Sequence, residues 1–253
     1  MNFKDLGISE SITKVLLKNG ISTPTPIQEE SISIIKNGCD VIAQAQTGTG
    51  KTLAFLLPLF ENISIDNNNN IQGLILTPTR ELAIQITEEA MKLKEGKDIN
   101  ILAAYGGKDI GAQLNKLKRN IHLVIATPGR LIDHIMRGTI NLKNVKTVVF
   151  DEADEMLNMG FIRQVEGVIR RIPKKRVTML FSATIPEEIQ ELCSKHLKRP
   201  VNIEVQSSGL VVDKIENILF RVKGEEKLKY LRMLLAKEKP ETAVIFCRTK
   251  ENV

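Results

Sequence analysis

Residues 41–52 read Val-Ile-Ala-Gln-Ala-Gln-Thr-Gly-Thr-Gly-Lys-Thr. The β-branched start predicts a buried strand, and the glycine-rich run after it predicts a turn that opens a helix. Gly48 and Gly50 would let the backbone approach phosphate oxygens, with the helix dipole behind them. Lys51 would then reach the β- and γ-phosphates of a nucleotide, and Thr52 would ligate Mg²⁺. The alternative is a glycine-rich turn followed by a chance Lys-Thr pair.

An acidic cluster stands one hundred residues further on. Residues 151–154 read Asp-Glu-Ala-Asp and follow an apolar run. Asp151 would end a buried strand and reach a magnesium ion, and Glu152 could accept a proton from an attacking water. Asp154 could instead bond a neighbouring hydroxyl. The alternative is an acidic helix N-terminus, which the helix dipole also favours. We expect Lys51 and the acid pair to converge on one triphosphate at adjacent strand tips.

Short β-branched runs alternate with helical patterns along the first four-fifths of the chain. This alternation predicts an α/β fold, with a mostly parallel sheet and helices on both faces. Ligands of such sheets bind at the carboxyl ends of the strands. The predicted strands cover residues 41–45, 73–77, 100–105, 123–126, 147–151, 178–182 and 201–205. The predicted helices cover residues 9–19, 26–36, 51–61, 80–94, 110–119, 129–137, 161–171 and 186–197.

The last fifth of the chain predicts a change of domain. Residues 206–213 have the composition of a linker. Beyond them the pattern predicts strands over 215–221 and 243–247 around a helix over 225–238. Two strands cannot bury a sheet on both faces. We therefore expect one complete domain, 1–205, and residues 214–253 as the first piece of a second.

Composition restricts the class of protein. The chain has 253 residues and a net charge of +6, which favours polyanion partners but equally fits an ordinary solvated surface. The cysteines are Cys39, Cys193 and Cys247, without a Cys-x-x-Cys pair. That pattern argues against a disulfide framework or a zinc site and predicts a cytoplasmic location. The longest apolar stretch, residues 53–60, is too short to span a membrane.

Residues 25–28 read Thr-Pro-Ile-Gln and fit a capping box, with proline at the first helical position. This gives Gln28 a structural role. Its side-chain amide both donates and accepts, so it could also read the edge of an adenine. An aromatic such as Phe3 could stack on the same base. These residues by themselves leave both roles of Gln28 open.

The ordered set of motifs resembles the DEAD-box ATP-dependent RNA helicases over nearly the whole chain. The segment ending at Gln28 is similar to that family's Q motif (within residues 1–28), and Phe3 stands where the family carries an aromatic. Ala45 replaces the glycine of the general phosphate-loop pattern, which is normal in this family. The remaining similarities are residues 45–52 to motif I, 78–83 to motif Ia, 106–107 to the glycine pair, 127–130 to motif Ib, 151–154 to motif II and 182–184 to motif III.

The resemblance implies a RecA-like P-loop domain that uses ATP and Mg²⁺ to unwind RNA locally and non-processively. It implies catalytic roles for Lys51, Asp151 and Glu152, and magnesium ligation by Thr52 and Asp151. The implied nucleotide contacts are Phe3, Gln28, Thr47, Gly48, Thr49, Gly50, Lys51 and Thr52. The implied contacts to the RNA backbone, of low sequence specificity, are Thr79, Arg80, Gly106, Gly107, Thr127, Gly129 and Arg130. The implied coupling residues are Asp154, Ser182 and Thr184.

Plainer roles exist for several of these residues. Thr79 and Thr127 could simply cap helices, and Thr184 could form a capping box with Glu187. Residues 245–249 are similar to the family's motif IV, whereas motifs V and VI are absent from the sequence. We therefore expect a monomeric chain that binds nucleotide but turns it over slowly when alone. The alternatives are a nucleotide- or RNA-binding fragment without turnover and a P-loop ATPase that acts on DNA.

Overall fold

The computed structural model describes residues 1–46, 48–65, 70–107, 117, 120–205 and 218–247. The chain forms two compact units, Met1–Ser208 and Gly209–Val253. The helix predicted over 110–119 lies outside the described residues apart from Leu117, and so does the predicted nucleotide contact Thr47.

The first unit is built on a seven-stranded sheet in the order β3-β4-β2-β5-β6-β1-β7. All of its strand pairs are parallel. The strands are β1 (Val41–Gln44), β2 (Gly73–Leu76), β3 (Ile101–Ala104), β4 (Leu123–Ala126), β5 (Thr147–Asp151), β6 (Val177–Ser182) and β7 (Val201–Glu204). The predicted α/β class is confirmed, and each predicted strand of this unit is found within one or two residues of its expected ends.

Helices connect the strands. In the described part of the first unit they are α1 (Glu10–Lys18), α2 (Pro26–Lys36), α3 (Lys51–Asn62), α4 (Arg80–Leu93), α5 (Pro128–Met136), α6 (Ala153–Asn158), α7 (Ile162–Ile169) and α8 (Glu187–His196). Helix α6 was not among the predicted helices, because six residues are too few to show a helical period. The acidic helix N-terminus given as the alternative for residues 151–154 is present, with Asp154 and Glu155 in its first turn. Among the described residues, none of the helices combines the length and the apolar character that crossing a bilayer requires.

Two hydrophobic clusters cover the two faces of the sheet. Successive strand residues alternate between them: Val149 belongs to the first cluster and Phe150 to the second. The first cluster receives side chains from α1 to α4, and the second from α5 to α8. Phe55 of α3 meets Phe181 of β6 edge to face, with ring centroids 5.3 Å apart. Burial on both faces explains why the strands read as nearly continuous apolar runs.

The second unit is described over residues 218–247. It contains a short 3₁₀ turn, Gly224–Glu226, followed by helix α9 (Lys227–Glu238), which has no buried residue. The strand predicted over 243–247 is wrong, because these residues adopt no regular structure. The predicted strand over 215–221 is not formed at 218–221, and its first residues lie outside the described part. A strand needs a hydrogen-bonded neighbour, and the described residues of this unit supply none.

Candidate functional site

The polar motifs share one edge of the sheet because the carboxyl ends of parallel strands all point the same way. Strands β3, β4 and β2, at one side of the sheet, lead into the predicted RNA contacts. Strands β5, β6 and β1 lead into the acid pair, the coupling residues and the phosphate loop. The strand order therefore separates the predicted nucleotide contacts from the predicted RNA contacts, with β5 at their boundary.

The glycine-rich segment over residues 45–50, which we call the phosphate loop, joins β1 to α3. Gly48 and Gly50 have φ angles of 82° and 90°, a region that side-chain-bearing residues adopt only with strain. Gly50 is the N-cap of α3, so Lys51 begins the helix. The hydroxyl of Thr49 donates to the carbonyl of Gln46 at 2.8 Å, a hydrogen bond within the loop that stabilises its turn. The unsatisfied amides of the first helical turn thus face the end of the loop, as an anion site requires.

Gln28 supports the phosphate loop from the side. Its Oε1 accepts from the backbone amide of Thr25 at 3.0 Å, as predicted for capping. Its Nε2 donates to the carbonyl of Gly50 at 2.9 Å, a contact that sequence reasoning missed. The side chain is buried, but the amide keeps one N–H and one lone pair for a further partner. Reading of adenine by Gln28 stays a prediction.

Phe3 lies in the first hydrophobic cluster and is only 1% exposed. An apolar ring close to a core is buried because that removes its surface from water. In this structure Phe3 therefore has no ring face to offer a base. Its stacking on adenine stays a prediction that would require the N-terminal segment to open.

Lys51 and the acid pair converge. The Nζ of Lys51 lies 4.0 Å from Oε1 of Glu152, and both side chains are largely buried. The expectation that they sit at adjacent strand tips is wrong, because β6 lies between β1 and β5. The long lysine side chain bridges this gap. Among the described residues, neither Nζ of Lys51 nor Oδ1 of Asp151 has a hydrogen-bond partner.

The buried carboxylate of Asp151 is electrostatically incomplete. Burial raises its pKa to about 6; the Lys51 ammonium opposes that shift and the Glu152 carboxylate adds to it. A nearby cation would stabilise the ionised form of such a buried carboxylate. Oδ1 of Asp151 has no hydrogen-bond partner among the described residues, and Thr52 is half-buried in the first turn of α3. A carboxylate and a hydroxyl supply the kind of oxygen ligand that Mg²⁺ prefers.

Glu152 has a strained backbone. It is the N-cap of α6, with φ of 53° and ψ of 56°, a left-handed conformation that costs a non-glycine residue on the order of 1–2 kcal/mol. Such strain persists where the surrounding structure imposes it. Here it turns the chain sharply after β5 and carries the Glu152 carboxylate to within reach of Lys51.

Asp154 ties α6 to the end of β6. Its Oδ2 accepts from both the amide and the hydroxyl of Thr184, each at 2.9 Å. Its own amide donates to the hydroxyl of Ser182 at 3.0 Å. Partial burial would raise the pKa of Asp154, but hydrogen bonds from Ser182 and Thr184 outweigh it and leave that pKa lowered. Helix α8 begins at Glu187 with Pro186 as its N-cap, so Thr184 does not cap it.

A groove of about 490 Å³ lies at the tips of β2, β3 and β4. We call it the tip groove. Five of the seven predicted RNA contacts lie in it. Its lining residues are Pro78, Arg80, Gly106, Thr127, Gly129, Arg130, Asp133 and Phe161. The sequence had not singled out Pro78, Asp133 or Phe161. Phe161 follows Gly160 directly, but this signal could not be used because helix α6, which ends just before Gly160, was not predicted.

Neighbouring groups hold the two arginines of the tip groove. The guanidinium of Arg80 lies 5.5 Å from the ring centroid of Tyr105, within the range of a cation–π contact. Gly107 has φ of 79°, a left-handed conformation that favours glycine, and a Cβ there would also come 2.8 Å from the flexible end of Arg80. Arg130 lies 3.8 Å from Asp133.

The two threonines that precede the groove's helices behave differently. Thr79 is the N-cap of α4 and accepts from the amide of Leu82 at 3.2 Å, so its capping role is present. Thr127 is the N-cap of α5 but makes no side-chain capping bond. Its hydroxyl is therefore not committed to capping the helix.

Comparison with known proteins finds one family. A model of the DEAD/DEAH box helicase family matches residues 25–192. The chain is 43% identical over 251 residues to a DEAD-box ATP-dependent RNA helicase, CshA, of Geobacillus kaustophilus, covering 99% of this chain and 54% of the relative. It is 45% identical to the ATP-dependent RNA helicase CshA of Listeria monocytogenes, covering 99% and 48%. The chain thus spans about half the length of these relatives.

Two solved structures are similar to this one. A crystal structure of a DEAD box protein from the hyperthermophile Methanococcus jannaschii has a TM-score of 0.78 and 43% sequence identity, over 100% of this chain and 68% of that chain. A hypothetical ATP-dependent RNA helicase from Sulfolobus tokodaii has a TM-score of 0.72 and 34% identity, over 78% and 57%. The predicted RecA-like architecture is confirmed by these likenesses.

Proposed function

This chain belongs to the DEAD/DEAH box helicase family, and from that premise we propose that the whole protein is an ATP-dependent RNA helicase. It would hydrolyse ATP in response to RNA and separate short duplexes locally. The chain of 253 residues supplies the nucleotide site and one RNA-binding surface. Support comes from relatives that are named ATP-dependent RNA helicases and from the arrangement of the site.

The observation that carries the proposal is the meeting of Lys51, Asp151 and Glu152. A buried ammonium 4.0 Å from a carboxylate, without a hydrogen bond of its own, is a receptor for another anion. Lys51 binds the β- and γ-phosphates, and Glu152 takes the proton of the attacking water. Asp151 and Thr52 would hold Mg²⁺, which when bound neutralises charge on the phosphates.

The tip groove offers RNA a set of phosphate-binding groups. Helices α4 and α5 both begin there, and their first amides and positive dipole ends favour anions. Arg80 and Arg130 add cationic donors. Such groups bind the backbone rather than base edges, so the protein should bind many RNA sequences with similar affinity.

Coupling between the two sites would pass through the centre of the sheet. Asp154 is bonded to Thr184 and Ser182, and the helix it belongs to begins at Glu152. A shift at the acid pair would move helix α6, whose end leads directly to Phe161 in the tip groove. Opening each base-pair step costs roughly 1–2 kcal/mol, a DNA figure used by analogy. The remainder of the whole protein is needed to grip the strand firmly enough to offset that cost.

The test compares the whole protein with the chain of 253 residues. ATP hydrolysis is measured with single-stranded RNA, with single-stranded DNA of the same length, and without nucleic acid. We expect RNA to stimulate the whole protein, and the chain alone to bind nucleotide with little turnover, because arginines supplied by a partner domain are worth about 10³–10⁵ in rate. Equal stimulation by DNA would favour the DNA translocase. Absence of turnover in the whole protein would favour a binding module.

Three narrower statements stay predictions. Magnesium as the resident cation is supported by the orphaned oxygen of Asp151 and is tested by nucleotide affinity with and without chelator.

A monomeric chain is tested by its mass in solution. A cytoplasmic location is supported by three cysteines that form no disulfide within the part of the chain that the structure describes, and is tested by cell fractionation.

A further inference from the structure

The tip groove has more room than a phosphate group needs. Its volume is about 490 Å³, in a groove that is open to solvent rather than an enclosed pocket. Its cationic and amide groups account for phosphate binding. Of the lining residues, Phe161 alone presents an aromatic ring, and no phosphate requires an aromatic.

Phe161 is held firmly in place. Helix α6 ends in a Schellman motif, in which Gly160 has φ of 73° and its amide donates to the carbonyl of Leu157 at 2.9 Å. The amide of Phe161 donates to the carbonyl of Met156 at 2.9 Å, and Phe161 is also the N-cap of α7. The half-buried ring packs against the second hydrophobic cluster. A ring whose backbone is fixed between two helices loses little conformational entropy when a ligand contacts it.

We propose that Phe161 stacks on an unpaired nucleobase of the strand bound in the tip groove. This inference rests on the proposed function, because it requires RNA in that groove. A base inside a duplex is already stacked on its neighbours, so Phe161 would favour single-stranded over double-stranded RNA. Every base has a π face, so this contact keeps the low sequence specificity expected of the groove.

The test measures the affinity of the 253-residue chain for two probes at low salt. One is an oligouridylate, and the other is an abasic ribose-phosphate oligomer with the same number of phosphates. Phe161→Leu removes the aromatic face but keeps an apolar side chain against the hydrophobic cluster. We expect it to weaken oligouridylate binding roughly 5- to 150-fold, the range for one stacked base, and to leave abasic binding unchanged.

Two further variants sharpen the comparison. Phe220, an aromatic 55% exposed in the second unit, is the matched control, and Phe220→Leu should change neither affinity. The chain contains no tryptophan, so Phe161→Trp introduces a single fluorophore at the site. Its emission should be quenched by oligouridylate and not by the abasic oligomer.

The outcomes separate the inference from the function on which it rests. If wild type binds oligouridylate and Phe161→Leu binds it equally well, the stacking role is wrong and the RNA-binding function stands. The same conclusion follows if Phe161→Leu weakens both probes alike, because the contact is then to the backbone. If wild type binds neither probe, the inference and the RNA groove both fail.

Discussion

The Nζ atom of Lys51 lies 4.0 Å from Oε1 of Glu152, although a whole strand separates the two strands that lead to them. That distance exceeds the 2.7–3.2 Å of a hydrogen bond. The ammonium and the carboxylate therefore attract each other without forming a hydrogen bond. Lys51 can exchange this partner for a phosphate oxygen without first breaking a hydrogen bond, which is what a site that binds and releases nucleotide requires.

Lys51→Ala should abolish nucleotide binding while the domain stays folded. Two lost charge-assisted hydrogen bonds, each worth about 1.5–3 kcal/mol, predict at least about 100-fold weaker binding by calorimetry. The melting temperature should fall at neutral pH, because Asp151 and Glu152 lose their counter-charge, but the domain should still unfold in one cooperative transition. Lys14→Ala, at an exposed lysine paired with Glu10 at 3.3 Å, is the control. Unchanged nucleotide affinity of Lys51→Ala would contradict the site.

Asp151→Asn should stabilise the nucleotide-free chain at neutral pH. Burial raises the pKa of Asp151 from 3.8 to about 6, so the folded state binds its proton more tightly than the unfolded state. The resulting cost is absent well below pH 3.8, grows as the pH rises from there to about 6, and is complete above the folded pKa. We expect a gain of a few kcal/mol in the free energy of unfolding at pH 7, in chelator, since one pKa unit is worth about 1.4 kcal/mol.

That gain should become small at pH 4, where Asp151 is protonated in the folded state and about half protonated in the unfolded state, whose pKa is 3.8. Denaturant titrations of wild type and Asp151→Asn at both pH values measure it. A stabilisation that is the same at pH 4 and pH 7 would show that it does not arise from this carboxyl group. The variant should at the same time lose magnesium-dependent nucleotide affinity, because a neutral amide oxygen binds Mg²⁺ more weakly than a carboxylate does.

Gly50→Ala should damage the phosphate loop more than Gly48→Ala. Both glycines have positive φ, so both variants carry a similar backbone strain. A Cβ at Gly50 would also lie 2.6 Å from Nε2 of Gln28 and 2.8 Å from the hydroxyl of Thr25, whereas one at Gly48 meets nothing within 4 Å. Thermal unfolding without nucleotide should place Gly50→Ala below Gly48→Ala. Equal melting temperatures would show that the Gln28 contact is unimportant for the loop.

Thr184→Ala should weaken communication between the sites without affecting nucleotide binding. It removes the hydroxyl bond to Asp154 and keeps the amide bond. The loss of stability should stay below about 1 kcal/mol, because these groups are partly solvent-exposed. In the whole protein we expect reduced RNA stimulation of ATP hydrolysis at an unchanged nucleotide affinity. Thr184→Ser keeps the hydroxyl and should behave like wild type; if it is as impaired as Thr184→Ala, the hydrogen bond is not the cause.

Local sequence patterns predicted the helices and strands that are long or strongly apolar. Strand β5 was predicted with its exact bounds because Thr147–Asp151 is a β-branched run ending in an acid. Helix α6 was missed because six residues show no period, and its start depends on a left-handed Glu152 that no local preference favours. The strand over 243–247 was predicted wrongly because β-propensity says nothing about whether a neighbouring strand is present.

By itself, the sequence determined the class of fold and the candidate site residues: a glycine-rich loop between a strand and a helix, an acid pair after another strand, and a parallel sheet that gathers them at one edge. These depend on residue types and short spacings, which a chain carries locally. Tertiary structure decided the strand order, the insertion of β6 between β1 and β5, the bond from Gln28 to Gly50, and the meeting of Phe161 with Arg80 and Arg130 in one groove. Those relationships join residues far apart in the chain, and packing of the whole domain selects them.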